Sequence, residues 1–109
     1  MIAEQRSLSP NGFLMLPNTF WEKHYDYTLI KRTGLFAIYK KTKEGYGAHC
    51  FEVIKIRENP AYIICNKVIE AKEIFPSNEM WGFYGFTCLT LTEAEKKMKK
   101  MIALEGKKI

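Results

Sequence analysis

The feature that most constrains the fold is the helix start at residues 90–95, which read TLTEAE. Thr90 and Thr92 each stand three residues before a glutamate, so either threonine can accept a hydrogen bond from a first-turn amide while the glutamate reaches back. Apolar residues then recur at three- and four-residue spacing, at Leu91, Ala94, Met98, Met101 and Ile102. This single apolar stripe predicts an amphipathic helix over 91–105 that packs on the face of a sheet.

The residues before this helix predict that sheet. Segments 27–32 and 35–40 are rich in β-branched and aromatic residues and are separated by Thr33-Gly34, which predicts a hairpin. Segment 49–57 predicts a third strand, with Phe51 and Val53 on one face and Cys50, Ile54 and Ile56 on the other. Because the connections are too short for parallel crossovers, we expect an α+β fold: an antiparallel meander of three to five strands with the C-terminal helix on one face.

Other segments are less regular. Residues 61–65 predict a fourth strand of the meander, and 66–74 fit either a strand or a helical turn. Pro17-Asn18-Thr19 is a cap signal that predicts one or two helical turns through His24. Residues 1–16 are expected to form a partly flexible N-terminal segment whose end docks through Phe13, Leu14 and Leu16, leaving 17–109 as a single domain.

Composition limits the classes of function. The chain has 109 residues, a formal charge of +5, and three widely spaced cysteines that suit reduced thiols. It contains neither a long apolar run nor a signal-peptide pattern, so we expect a cytoplasmic protein without a membrane partner.

No catalytic, metal or cofactor motif is present. His24 and His49 are isolated from any acid–base pattern, and the glycines at 82 and 85 do not form a phosphate-binding loop. Glu73 and Glu79 flank a turn and are interpreted as structural. The sequence therefore predicts no enzyme activity, no metal and no cofactor.

The candidate interaction surface combines aromatic and basic residues. Four aromatics lie within residues 81–86, and because a soluble monomer cannot expose all of them, we expect two or three to be buried. Residues 41–47, with two glycines, predict a second turn region, and the lysines there and on the helix would add positive charge if both lie on one side of the sheet. The candidate residues are Trp81, Phe83, Tyr84, Lys96, Lys100, Lys40, Lys41 and Lys43.

The patterns EIFPSNExWGxxGFT at 73–87 and LTEAEKK at 91–97 resemble small proteins of bacteriophages and mobile elements. The likeness extends more loosely to 20–21, 27–39 and 51–56. The resemblance implies a phage-type accessory protein acting in the host cell, a class that includes host-defence inhibitors such as anti-CRISPR proteins.

Together these observations predict a small binding protein that acts on a host protein. The alternative is a nucleic-acid-binding accessory factor that uses the basic helix and hairpin lysines. Association with a second copy is left open, because an uncovered sheet edge could pair with itself.

Overall fold

The computed structural model describes residues 8–43, 45, 47–77 and 81–106, and it shows an α+β fold. A five-stranded antiparallel sheet with strand order β1-β2-β3-β4-β9 carries one helix on one face, as the sequence predicts. Within the described ranges, no helix is long and apolar enough to cross a membrane. The elements are β1 (Thr19–Glu22), β2 (Tyr25–Thr33), β3 (Phe36–Lys43), β4 (His49–Lys55), β5 (Arg57–Asn59), β6 (Tyr62–Ile64), β7 (Lys67–Ile69), β8 (Lys72–Ile74), β9 (Gly85–Cys88) and α1 (Leu91–Gly106).

The helix begins and packs as its sequence pattern indicates. Of the two candidate threonines, Thr90 caps the helix, because the backbone N–H of Glu93 donates to its Oγ1 at 3.2 Å. The predicted apolar stripe is confirmed: Ala94, Met98 and Met101 are buried, and Leu91 and Ile102 pack at the edge of the same cluster. Their partners on the sheet are Phe36, Ile38, Phe51 and Val53.

The sheet is covered on both faces. Phe36 to Tyr39 are four consecutive buried residues of β3, a run that suits a strand with a core on each side. Phe36 and Ile38 face the helix, whereas Ala37 and Tyr39 join a second core with Ile54 and Ile56. The predicted division of segment 49–57 between two faces is therefore confirmed for Phe51 and Val53 against Ile54 and Ile56.

The predicted short helix at 17–24 is wrong, because this segment forms β1 and the turn into β2. Phe20 pairs with Tyr27, and their rings stack with centroids 4.5 Å apart. Lys23 and His24 take positive φ angles of 51° and 70°, as in the two-residue turns that suit twisted hairpins. Cross-strand pairing and burial of Phe20 outweigh the local cap signal of Pro17-Asn18-Thr19.

The prediction that 61–65 forms the fourth strand of the meander is also wrong. The place beside β4 belongs to β9, and residues 57–74 leave the sheet as a separate β-ribbon. In the β-ribbon, β5 pairs with β8 and β6 pairs with β7, and both pairings share the Cys65-Asn66 turn. The paired residues run from Arg57↔Ile74 at the base to Ile64↔Lys67 beside the turn. We call residues 57–74 the β-ribbon and residues 61–70 its tip.

The base of the β-ribbon is anchored, unlike its tip. The N–H of Leu14 donates to Ala71 O at 2.9 Å, and the N–H of Glu73 donates to Leu14 O at 2.8 Å, so the end of the N-terminal segment docks on β8. Residues 1–7 lie outside the described residues. The Glu73 carboxylate also accepts two hydrogen bonds from Arg32 of β2, which joins the ribbon to the main sheet.

The three cysteines are expected to differ in reactivity. All are free thiols; Cys65 is exposed at the ribbon turn, whereas burial raises the pKa of the Cys50 and Cys88 thiols and so reduces their thiolate fractions. With iodoacetamide at pH 8, Cys65 should be alkylated several-fold faster than the other two, as timed mass spectrometry would show. Equal rates at Cys50 or Cys88 would contradict the burial seen here.

Candidate interaction surface

The turn between the β-ribbon and β9 positions two of the predicted aromatics over the helix. Gly82 has a φ of +94°, which favours glycine, and its N–H donates to Gly85 O at 2.7 Å. The N–H of Lys55 donates to Tyr84 O at 2.7 Å, so the turn is fixed to the end of β4. Phe83 and Tyr84 are thereby held beside the C-terminal half of α1.

These aromatics border an open cleft of about 410 Å³, which we call the helix-side cleft. Its base consists of apolar groups that also belong to the helix-side core, and its rim is both apolar and charged. Phe83 is 77% exposed and Leu104 is 62% exposed, so two large apolar side chains stand in solvent at the rim. The lining residues are Phe36, Lys55, Phe83, Tyr84, Phe86, Lys97, Lys100, Met101, Leu104 and Glu105.

The charges around the helix-side cleft are mostly positive. Lys97 Nζ lies 3.8 Å from the ring centroid of Phe86, a cation–π contact that holds the ammonium at the rim. Lys55 pairs with Glu105 at 2.6 Å, whereas Lys100 makes no ion pair within the described part of the chain. The cleft thus offers an apolar base with two unneutralised ammonium groups beside it.

Trp81 does not belong to this cleft, although we predicted that it shares a surface with Phe83 and Tyr84. Its ring covers the opposite face of the sheet, stacks on Phe75 with centroids 6.1 Å apart, and lies over Gly85. A Cβ at residue 85 would be 2.3 Å from the Trp81 ring, which explains the glycine. We expected two or three of the four aromatics to be buried, but Trp81 and Phe86 are only partly buried and Phe83 and Tyr84 are exposed.

Trp81 borders a second cleft, of about 580 Å³, on the face away from the helix. Trp81 Nε1–H donates to Thr87 Oγ1 at 3.1 Å, and the Thr87 hydroxyl donates to Glu52 Oε2 at 2.7 Å. Lys41 Nζ lies 3.3 Å from Glu52 Oε1 and 4.2 Å from the ring centroid of Tyr25. This polar chain satisfies its own members and so ties β3, β4 and β9 together.

The same neighbours determine the charge of Lys41. Burial opposes the charged ammonium, but Tyr27 and Glu52 hold the pKa of Lys41 above its ordinary value. Burial also raises the pKa of Tyr27. Lys41 therefore stays charged in the second cleft, but its ammonium already interacts with Glu52 and Tyr27 and contributes little to binding a partner.

The predicted lysine cluster is divided between surfaces. Lys40, Lys41 and Lys43 were placed in a turn region, but all three belong to β3, whose pairing with β2 and β4 extends to Lys43. Lys40 follows Phe36 and Ile38 on the helix side, whereas Lys41 points to the other face. Lys96 is exposed on α1 outside the cleft, so the structure brings together only Phe83, Tyr84 and Lys100 of the eight predicted residues.

Sequence reasoning missed the exposed tip of the β-ribbon. Tyr62, Ile63, Ile64 and Val68 are 51–73% exposed, although each is a residue type that usually packs in a core. A signal was present, since two short β-branched runs are separated by exactly Cys65-Asn66. It was weak because Cys-Asn is not one of the favoured turn pairs such as Asn-Gly.

Comparison with protein-family models, with curated proteins and with solved structures finds no match to this chain. Among the described residues, no three His, Cys, Asp or Glu side chains group closely enough to hold a metal ion.

Proposed function

We propose that this chain is a small non-catalytic binding protein that acts on a host protein through the helix-side cleft. The observation that carries the proposal is the exposure of Phe83, at 77%, on a turn that two backbone hydrogen bonds hold in place. A large aromatic ring fixed in solvent contributes nothing to the core of its own chain. Rings of this kind are common anchors of protein interfaces.

The cleft behind the ring supports an apolar anchor on the partner. Phe86, Met101 and Leu104 line a space of about 410 Å³, large enough for one or two partner side chains. Phe83 and Leu104 at its rim would be covered by the same contact. Burying about 200 Å² of ring and neighbouring apolar surface contributes roughly 5 kcal/mol before the costs of association are subtracted.

The charges indicate what flanks that anchor. The half-buried Lys97 and the exposed Lys100 are about one turn apart on α1, and the whole chain carries +5. Asp or Glu residues beside the partner's apolar anchor would complement them and speed association. The expected partner segment is therefore an apolar side chain flanked by carboxylates.

The proposed setting is that of a phage accessory protein in the cytoplasm of its host, with inhibition of host defence as the expected role. It rests on the resemblance of segments 73–87 and 91–97 to phage proteins. The exposed Phe83 and Tyr84 fall inside the first of these segments, at the two positions between Gly82 and Gly85 that the pattern leaves unspecified.

The proposal is tested by affinity purification from host lysate after nuclease treatment. The wild-type chain should retain a specific protein that Phe83→Ser loses, because the substitution removes the anchor. Leu89→Ser is the matched control, since Leu89 is 74% exposed but does not line the cleft. Recovery of no specific protein, or equal recovery by all three chains, would count against the proposal.

The second candidate function is nucleic-acid binding, which the pairing of exposed Phe83 with Lys100 favours. An exposed ring can stack on a base while neighbouring ammonium groups contact phosphates. Affinity should then fall steeply with rising salt. Lys100→Glu should weaken binding even though Lys97, whose ammonium contacts the Phe86 ring, is unchanged. Absence of any gel shift of DNA or RNA at low salt would eliminate this alternative.

A further inference from the structure

The tip of the β-ribbon carries four exposed large hydrophobic residues that line neither cleft. Ile63 and Val68 are a cross-strand pair with exposures of 73% and 70%, and Tyr62 and Ile64 are more than half exposed. Within the described chain, β6 and β7 pair only with each other. A two-stranded ribbon is marginally stable in water without further cover.

We propose that a second copy of this chain provides that cover, with the β6 edges of two copies pairing antiparallel about a twofold axis at Ile63. Such pairing satisfies the free backbone groups of the edge and buries apolar side chains from both copies. The proposal is independent of the protein-binding function, because no tip residue lines the helix-side cleft.

The charge distribution favours a second copy over a charged partner. Between residues 61 and 70 the ionisable charges are one lysine, Lys67, and one glutamate, Glu70, so the tip is close to neutral while the chain carries +5. Eight residues per strand at ~3.3 Å each give a ribbon roughly 25 Å long. That length exceeds the screening length of about 8 Å at physiological salt, so the basic bodies of two copies need not repel each other strongly.

The side chains also select which edge pairs. With Ile63 on the twofold axis, it meets its own copy, and Tyr62 lies opposite Ile64 of the second copy, so every facing pair is apolar. The equivalent arrangement on β7, with Val68 on the axis, would place Lys67 opposite Ile69. The β6 edge is therefore the better self-complementary surface.

Cysteine cross-linking tests this register directly. In a Cys65→Ser background, Ile63→Cys should oxidise to a covalent dimer, because residues opposite each other in antiparallel strands have Cα atoms about 4.5–5.5 Å apart, within disulfide range. Val68→Cys is the matched control. Its two copies would be three strand spacings apart, roughly 14 Å, and should not cross-link.

Light scattering coupled to size exclusion measures the uncross-linked state. The wild-type chain should approach twice its 12.7 kDa mass as concentration rises, and Ile63→Lys should weaken dimerisation at least about tenfold by placing like charges on the axis. A wild-type chain that stays monomeric, equal cross-linking of both cysteine variants, or a dimer unaffected by Ile63→Lys would each overturn the proposal. Any of these results leaves the Phe83 test of the protein-binding function unaltered.

Discussion

Replacing Arg32 with methionine is expected to lower the free energy of unfolding by about 3–5 kcal/mol, the range found when one partner of a buried ion pair is removed. Arg32 Nη1 and Nη2 lie 2.7 and 2.6 Å from the two Glu73 oxygens, and Glu73 is 1% exposed. In the variant this carboxylate would lose both guanidinium donors and keep the N–H of Leu16, at 3.0 Å. Chemical denaturation measures this loss, provided that the free energy of unfolding depends on denaturant concentration with the same slope in both chains.

Two further variants serve as a control and a rescue for Arg32→Met. Arg57→Met removes an exposed arginine from the neighbouring strand β5 and should change stability by less than about 0.5 kcal/mol. The double variant Arg32→Met/Glu73→Leu should recover much of the loss, because it also removes the buried carboxylate that Arg32→Met leaves without its guanidinium, although the Leu16 N–H loses its acceptor. If Arg32→Met cost no more than Arg57→Met, the pair would not anchor the β-ribbon.

Replacing Phe75 with alanine is expected to cost about 3 kcal/mol, the low end for a phenylalanine in a core because this ring is only partly buried. Its centroid lies 5.8 Å from Phe20, 5.7 Å from Tyr27 and 5.8 Å from Tyr39, so truncation removes the centre of an aromatic cluster. These ring pairs contribute beyond their buried area.

Phe83→Ala is the control for this second prediction, because the same deletion is made at an exposed ring. It should change the free energy of unfolding by less than about 0.5 kcal/mol. The emission of Trp81, which stacks on Phe75, should shift in Phe75→Ala and stay constant in Phe83→Ala. A comparable loss of stability in both variants would mean that Phe83 packs in the fold, against its exposure here.

Local patterns were sufficient where the physical cause is local. The α1 helix followed from a capping threonine and a stripe of apolar residues, and the β2–β3 hairpin followed from two strand-like runs around Thr33-Gly34. The cap signal at Pro17-Asn18-Thr19 gave a wrong prediction because the structure of this segment is determined by a residue outside it. Phe20 pairs with Tyr27 of the next strand, and this pairing holds the segment as a strand. A prediction from neighbouring residues does not include such a partner.

The candidate site depended on long-range placement and was predicted only in part. Phe83 and Tyr84 were chosen for their aromatic type, and the structure places them beside Lys100. Trp81 lies only two residues from Phe83, yet Gly82 and Gly85 turn the chain so that it covers the other face. Sequence spacing cannot assign these neighbours to opposite faces, because the turn geometry decides it.

The most direct test of the central claim is the affinity of the captured host protein, measured by titration calorimetry against three purified chains. Phe83→Ser should bind at least about 30-fold more weakly than wild type, which corresponds to a loss of about 2 kcal/mol at an interface anchor. Leu89→Ser, equally exposed but outside the helix-side cleft, should bind within about twofold of wild type. Wild-type affinity in Phe83→Ser, or an equal loss in Leu89→Ser, would contradict binding through this cleft.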